Sequence, residues 1–93
     1  MPQGQLSSVS GNPYPVTGTG VVTDRPSVTA GFYVNSTSAG TLVFRDGTAS
    51  GVAIGGTITP AVGWHTYAFN FSKGVHITVA NTIDITVSIN IRD

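Results

Sequence analysis

Ile83, Ile85, Val87, Ile89 and Ile91 alternate with Asp84, Thr86, Ser88 and Asn90. Apolar side chains at every second position belong to a strand with one buried and one wet face, because successive Cβ atoms of a pleated backbone point to opposite sides. A helix cannot use this pattern, since at 3.6 residues per turn the apolar groups would circle the whole cylinder. The same period runs through Val28, Ala30, Phe32 and Val34, then Leu42 and Phe44, then Val52, Ile54 and Ile58. It continues through Tyr67, Phe69 and Phe71 and through Val75, Ile77 and Val79. No segment has a helical period and β-branched residues dominate, so the chain is expected to be all-β.

The parity of these runs predicts their turns. Pairing Phe71 with Val75 keeps both runs on one face and leaves Ser72-Lys73-Gly74 as a hairpin loop, with Gly74 free to take positive φ. Pairing Val79 with Ile83 leaves Ala80-Asn81-Thr82, where Asn81 best tolerates a left-handed conformation. Residues 65–91 then read as a three-stranded meander, and Arg45-Asp46-Gly47-Thr48 as a further hairpin turn. A single small sheet would leave its apolar face wet, so the strands are expected to form a small antiparallel β-sandwich. Jelly-roll-like and immunoglobulin-like strand orders both fit.

Composition changes near Pro26. Residues 1–26 are rich in Gly, Pro, Ser and Thr and read as an extended N-terminal arm, with one strand at Val16–Thr23, ahead of a sandwich domain at 27–93. The arm has few apolar groups, so ordering it costs more chain entropy than those groups return. It is expected to be held by partners, with Leu6, Val9, Tyr14 and Val16 as anchors.

Charged residues make up 9% of the 93 residues, against about 25% in ordinary domains. Four cations balance four anions, and glutamate is absent. So few scattered cations argue against nucleic-acid binding, which needs a clustered basic surface. Zero net charge suits a chain that works inside an assembly. No run is long and apolar enough for a transmembrane helix, and none resembles a secretory leader, so no membrane association is expected. With no cysteine, folding in a reducing cytoplasm is expected. The triplets Asn35-Ser36-Thr37 and Asn70-Phe71-Ser72 then read as chance matches to a glycosylation acceptor.

Little in the sequence points to catalysis. In the meander register His65 and His76 would lie about 17 Å apart at 3.3–3.4 Å per residue, too far to share a metal, and both read as surface histidines. Paired carboxylates for glycoside cleavage are lacking without glutamate. No nucleophile elbow is present, and Gly18-Thr19-Gly20 and Gly55-Gly56-Thr57 lack the lysine and helix of a phosphate loop. The expectation is no enzyme, no cofactor and no metal. Tyr33, Trp64 and Tyr67 form a candidate exposed contact surface, for a neighbouring subunit or for a sugar.

The stretch GTLVFRDGTASGVAIGGTITPAVGWHTYAFNFSKGVHITVANTIDITVSI carries Gly40-Thr41-Leu42, Asp46-Gly47, Ile58-Thr59-Pro60-Ala61-Val62-Gly63, Phe71-Ser72-Lys73-Gly74 and Asp84-Ile85-Thr86-Val87. It resembles a type of small virion structural protein encoded by tailed bacteriophages, over about half the chain. The leading MPQGQLSSVSGNPYPV lies outside the match. The resemblance implies a non-catalytic capsid decoration (cement) or head spike-base protein. Such a protein would be made in the host cytoplasm and sit on the capsid exterior as a homo-oligomer, a trimer. Its partners would be the major capsid protein or other virion subunits. The alternative is a receptor- or carbohydrate-binding module of a phage fibre or adhesin.

Overall fold

A computed structural model of the protein describes residues 11–92. In chain order the strands are β1 (Asn12–Val16), β2 (Gly20–Thr23), β3 (Ser27–Asp46), β4 (Ala53–Ile58), β5 (Gly63–Thr66), β6 (Asn70–Phe71) and β7 (Val75–Ile91). No helix occurs among the described residues, and every strand pairing is antiparallel. The all-β expectation therefore holds.

Two long strands organise the molecule. β3 and β7 pair from Ser27↔Ile91 to Asp46↔Val75. Fully extended, the 20 residues of β3 would span about 66 Å at 3.3 Å per residue, yet the longest dimension of the molecule is 41 Å. The ribbon must bend. Phe32 and Phe44 lie in opposite halves of β3, twelve residues apart, but their ring centroids are 5.6 Å apart. The ribbon is thus doubled over, and one continuous hydrogen-bonded sheet makes both layers of a sandwich.

The corner lies where Ala39 and Asn81 take left-handed conformations, at φ 55° and 61°. The Asn81 side-chain amide donates to the Ala39 carbonyl at 2.8 Å. A short side chain with its own polar group suits this conformation. The Gly40 N–H donates to Thr37 Oγ1 at 3.0 Å. A Cβ on Gly40 would lie 2.6 Å from Ile83 Cβ and 2.7 Å from the Thr82 carbonyl oxygen, so the two strands meet closely there.

In the first layer, β1 lies on the C-terminal half of β7, followed by the N-terminal half of β3 and then β5 and β6. In the second, β2 lies on the N-terminal half of β7, followed by the C-terminal half of β3 and then β4. The inner faces supply Phe32, Val34, Leu42, Phe44, Val75, Ile77, Ile83, Ile85, Val87 and Ile89, joined by Val16 and Phe71. The apolar and polar alternation from Ile83 to Asn90 is the alternation of burial along the C-terminal half of β7.

Several expected connections differ. Val79 and Ile83 flank no hairpin: Asn81 takes the expected left-handed conformation, but it bends a single strand. Phe71 does not pair with Val75, because β6 instead pairs with β3 at Ser27↔Phe71. The meander is therefore absent, and β5 pairs with β3 at Phe32↔His65 and Tyr33↔Trp64. Gly74 has the expected positive φ of 148°. Its role is close approach, since a Cβ there would meet the Thr23 carbonyl oxygen at 2.4 Å.

The Asp46-Gly47 turn is a hairpin between β3 and β4, with Gly47 at φ 95° and the Asp46 N–H donating to the Val52 carbonyl at 2.9 Å. The Asp46 carboxylate accepts from the Ser72 hydroxyl at 2.8 Å and from the Lys73 N–H at 2.9 Å, tying this turn to the next. Burial alone would raise its pKa, but the hydrogen bonds from Lys73 and Ser72 outweigh it and lower it.

The segment read as an arm is part of the sheet from Asn12 onward. β1 and β2 complete the free edge of β7 in the two layers, and Thr17–Thr19 cross between them. At the crossing Thr19 Oγ1 accepts from the Val79 N–H at 2.8 Å and donates to its carbonyl at 3.1 Å, substituting for a ladder pair. Backbone pairing along β7 holds this segment despite its few apolar side chains.

Candidate binding face

The outer face of the first layer carries Tyr33 and Trp64 as a direct cross-strand pair between β3 and β5. They are 47% and 49% exposed. Their neighbours along and across the strands are small: Gly31, Thr66, Thr86 and Ser88. The benzo edge of the indole lies over Gly31, where a Cβ would meet Trp64 Cζ2 at 2.6 Å and the His65 carbonyl oxygen at 2.4 Å. The indole N–H donates to Thr66 Oγ1 at 3.3 Å. Trp64 is thus seated from below and tethered at its edge.

Beside the indole is a cleft of about 250 Å³ lined by Val28, Thr29, Ala30, Trp64, Thr66, Ala68 and Asn90. None of these side chains is ionisable. The floor is firm: Thr29 is buried, its Oγ1 donating to the Tyr67 carbonyl at 2.5 Å and accepting from the Phe69 N–H at 3.2 Å.

Tyr67, expected beside Trp64 and Tyr33, turns inward. The chain leaves β5 after Thr66, and the Tyr67 N–H donates to the Ala30 carbonyl at 3.1 Å. Its ring packs 4.4 Å from Phe44, and its hydroxyl donates to the Ile54 carbonyl. Burial pushes its pKa up. Phe69, read as core, is 43% exposed and packs edge-on against Tyr67 instead.

Of the expected arm anchors, Val16 belongs to the protein's own core and is 7% exposed, which withdraws it from partner binding. Tyr14 packs partly against that core. Leu6 and Val9 lie outside the described residues.

The histidines part company. His65 stacks on Phe32 at 5.3 Å, its Nε2 2.7 Å from the Ala61 carbonyl oxygen. His76, expected on the surface, is 4% exposed and lies between Val21 and Arg45 across the strands of the second layer. Its buried Nδ1 has no hydrogen-bond partner. Burial first, and then the Arg45 charge, lower its pKa. Among the described residues no three His, Cys, Asp or Glu side chains converge.

Sequence reasoning missed Gly31, Thr66 and Asn90 as supporting residues and read Val28 and Ala30 as facing inward with Thr29 outward. The register shift between Thr29 and Gly31 reverses this, burying Thr29 and setting Val28 and Ala30 at the cleft. One signal was available, since a glycine inside a strand pattern marks close approach by another group. Compared with known proteins, the chain matches no family model, no curated protein and no solved structure.

Proposed function

We propose that the protein is a non-enzymatic structural component of a tailed-bacteriophage virion. As a capsid decoration or head spike-base protein, it bridges neighbouring subunits on the capsid exterior. The observation that carries this reading is where the residues of the resemblance fall in the fold. Gly40 sits at the corner of β3 and Asp46-Gly47 at the β3–β4 turn. Ile58 through Gly63 carry the chain from the second layer to the first, and Gly74 lies against the end of β2. Asp84 through Val87 form the central stretch of β7 in the first layer. These residues therefore lie in the framework of this sandwich, which supports the reading.

Exposed apolar groups give such a module surface to bury among neighbours. Val52 is 74% exposed, Val62 60% and Val21 53%, on a chain carrying four cations and four anions. The partners in this reading are the major capsid protein and further copies of the chain, as a trimer.

The test is to add purified protein to phage heads assembled without it and to follow co-sedimentation and cryo-electron microscopy. Saturable occupancy of a repeating set of capsid positions is expected, with lower occupancy after deletion of residues 1–10, which spares β1. Heads that take up none of the protein would refute the proposal.

A further inference from the structure

We propose that the Trp64-walled cleft on the outer face of the first layer binds one pyranose ring of a neutral saccharide. A sugar ring has an apolar face of C–H groups and a rim of hydroxyls. Its recognition needs a fixed, partly exposed aromatic plane beside uncharged hydrogen-bonding groups.

The cleft has those parts. Trp64 is half exposed yet held over Gly31 and by Thr66. Val28, Ala30 and Ala68 supply small apolar lining, and Thr66 and Asn90 supply neutral polar groups. The absence of an ionisable lining residue disfavours phosphate, sulfate and carboxylate ligands, which need charge-assisted partners. At about 250 Å³ the space is below the roughly 300–1,000 Å³ of drug-sized pockets, which suits a single ring over a long oligosaccharide.

The site can be read directly because Trp64 is the only tryptophan of the chain. The free full-length protein, with no phage heads present, is titrated with the methyl glycosides of glucose, galactose, mannose and N-acetylglucosamine and with methyl glucuronide. A saturable change in tryptophan emission is expected with at least one neutral glycoside, and a weaker response with the glucuronide. Amide spectra of labelled protein should shift at Ala30, Thr66 and Ala68 during the same titration. By that readout Trp64→Ala is expected to weaken binding at least about tenfold, and Trp64→Phe by less.

The absence of a saturable response to any neutral glycoside would overturn the proposal. So would glycoside-induced amide shifts that persist unchanged in Trp64→Ala, or tighter binding of the glucuronide. Emission that responds only to protein concentration would overturn it too, and would assign the face to a second copy of the chain. Because no heads are present, failure here leaves the capsid reading to its own test.

Discussion

The two layers are halves of the same long strands, yet their outer faces differ. In the second layer Val21, His76, Arg45 and Ala53 form a row across β2, β7, β3 and β4. The row is exposed at its edges, where Val21 is 53% exposed, but covered at its centre: His76 is 4% exposed, and Arg45 donates from Nε to Thr78 Oγ1 at 3.3 Å and from Nη1 to the Gly51 carbonyl at 3.4 Å. In the first layer the corresponding row is Pro15, Thr86, Tyr33 and Trp64. Here the aromatics stand beside small residues that cannot cover them, and a cleft opens next to Trp64. An outward strand position is thus no guarantee of exposure. The bulk and reach of its cross-strand neighbours decide it.

The largest expected effect concerns what the layers share. The Phe44 ring meets Phe32, Tyr67 and Phe71 between them. Phe44→Ala should cost about 3–5 kcal/mol, read as a lower denaturant midpoint in chemical unfolding. A loss below 1 kcal/mol would show that the layers do not depend on this contact.

Next comes the seat of the open face. Gly31→Ala places a methyl against the His65 carbonyl and the indole, so a loss of about 1–3 kcal/mol is expected. A change in Trp64 emission should accompany it. Unchanged emission would mean that Gly31 does not position the ring.

The covered centre of the second layer should be acid-sensitive. Burial, and then the Arg45 charge, hold the folded-state pKa of His76 below the ordinary histidine value of about 6.5. Its contribution to stability is therefore present above that value and is lost as pH falls from about 6.5 through the lower folded pKa. His76→Gln should flatten the stability–pH curve between about pH 7 and 5. The lowered Asp46 pKa acts in a separate window below the ordinary aspartate value of about 3.8, so the two acid limbs can be told apart. A wild-type curve flat from pH 7 to 5 would contradict the burial of neutral His76.

The smallest effect is the sharpest contrast. Trp64→Ala on the open face should change stability by only about 0.5–1 kcal/mol, despite removing the largest side chain of the chain. A loss of several kcal/mol would show that Trp64 on the open face is as integral to the fold as a buried side chain.

Much of this architecture was legible because period-two alternation is a local consequence of pleating. It identified the inner face of β3 from Phe32 onward and of β7 apart from the buried His76, and backbone sterics alone marked Asn81, Gly47 and Gly74 as special positions. The candidate face was half legible. Tyr33 and Trp64 were found, but Tyr67 was grouped with them because sequence spacing does not show that β5 ends at Thr66. The supporting Gly31 and Thr66 are ordinary residues until Trp64 is placed across the strand from them.

The amino-acid sequence by itself determined that this protein is all-β and which apolar side chains most of β3 and β7 bury, since both follow from the two-residue repeat of an extended backbone. Only the tertiary structure decided that Asn81 bends one strand where a hairpin was expected, that β1 and β2 close the edge of β7, and that His76 is covered on one outer face while Trp64 is open on the other. A left-handed residue between two runs of equal parity satisfies a hairpin and a corner alike. Which of them forms depends on edges and neighbours far away in the chain.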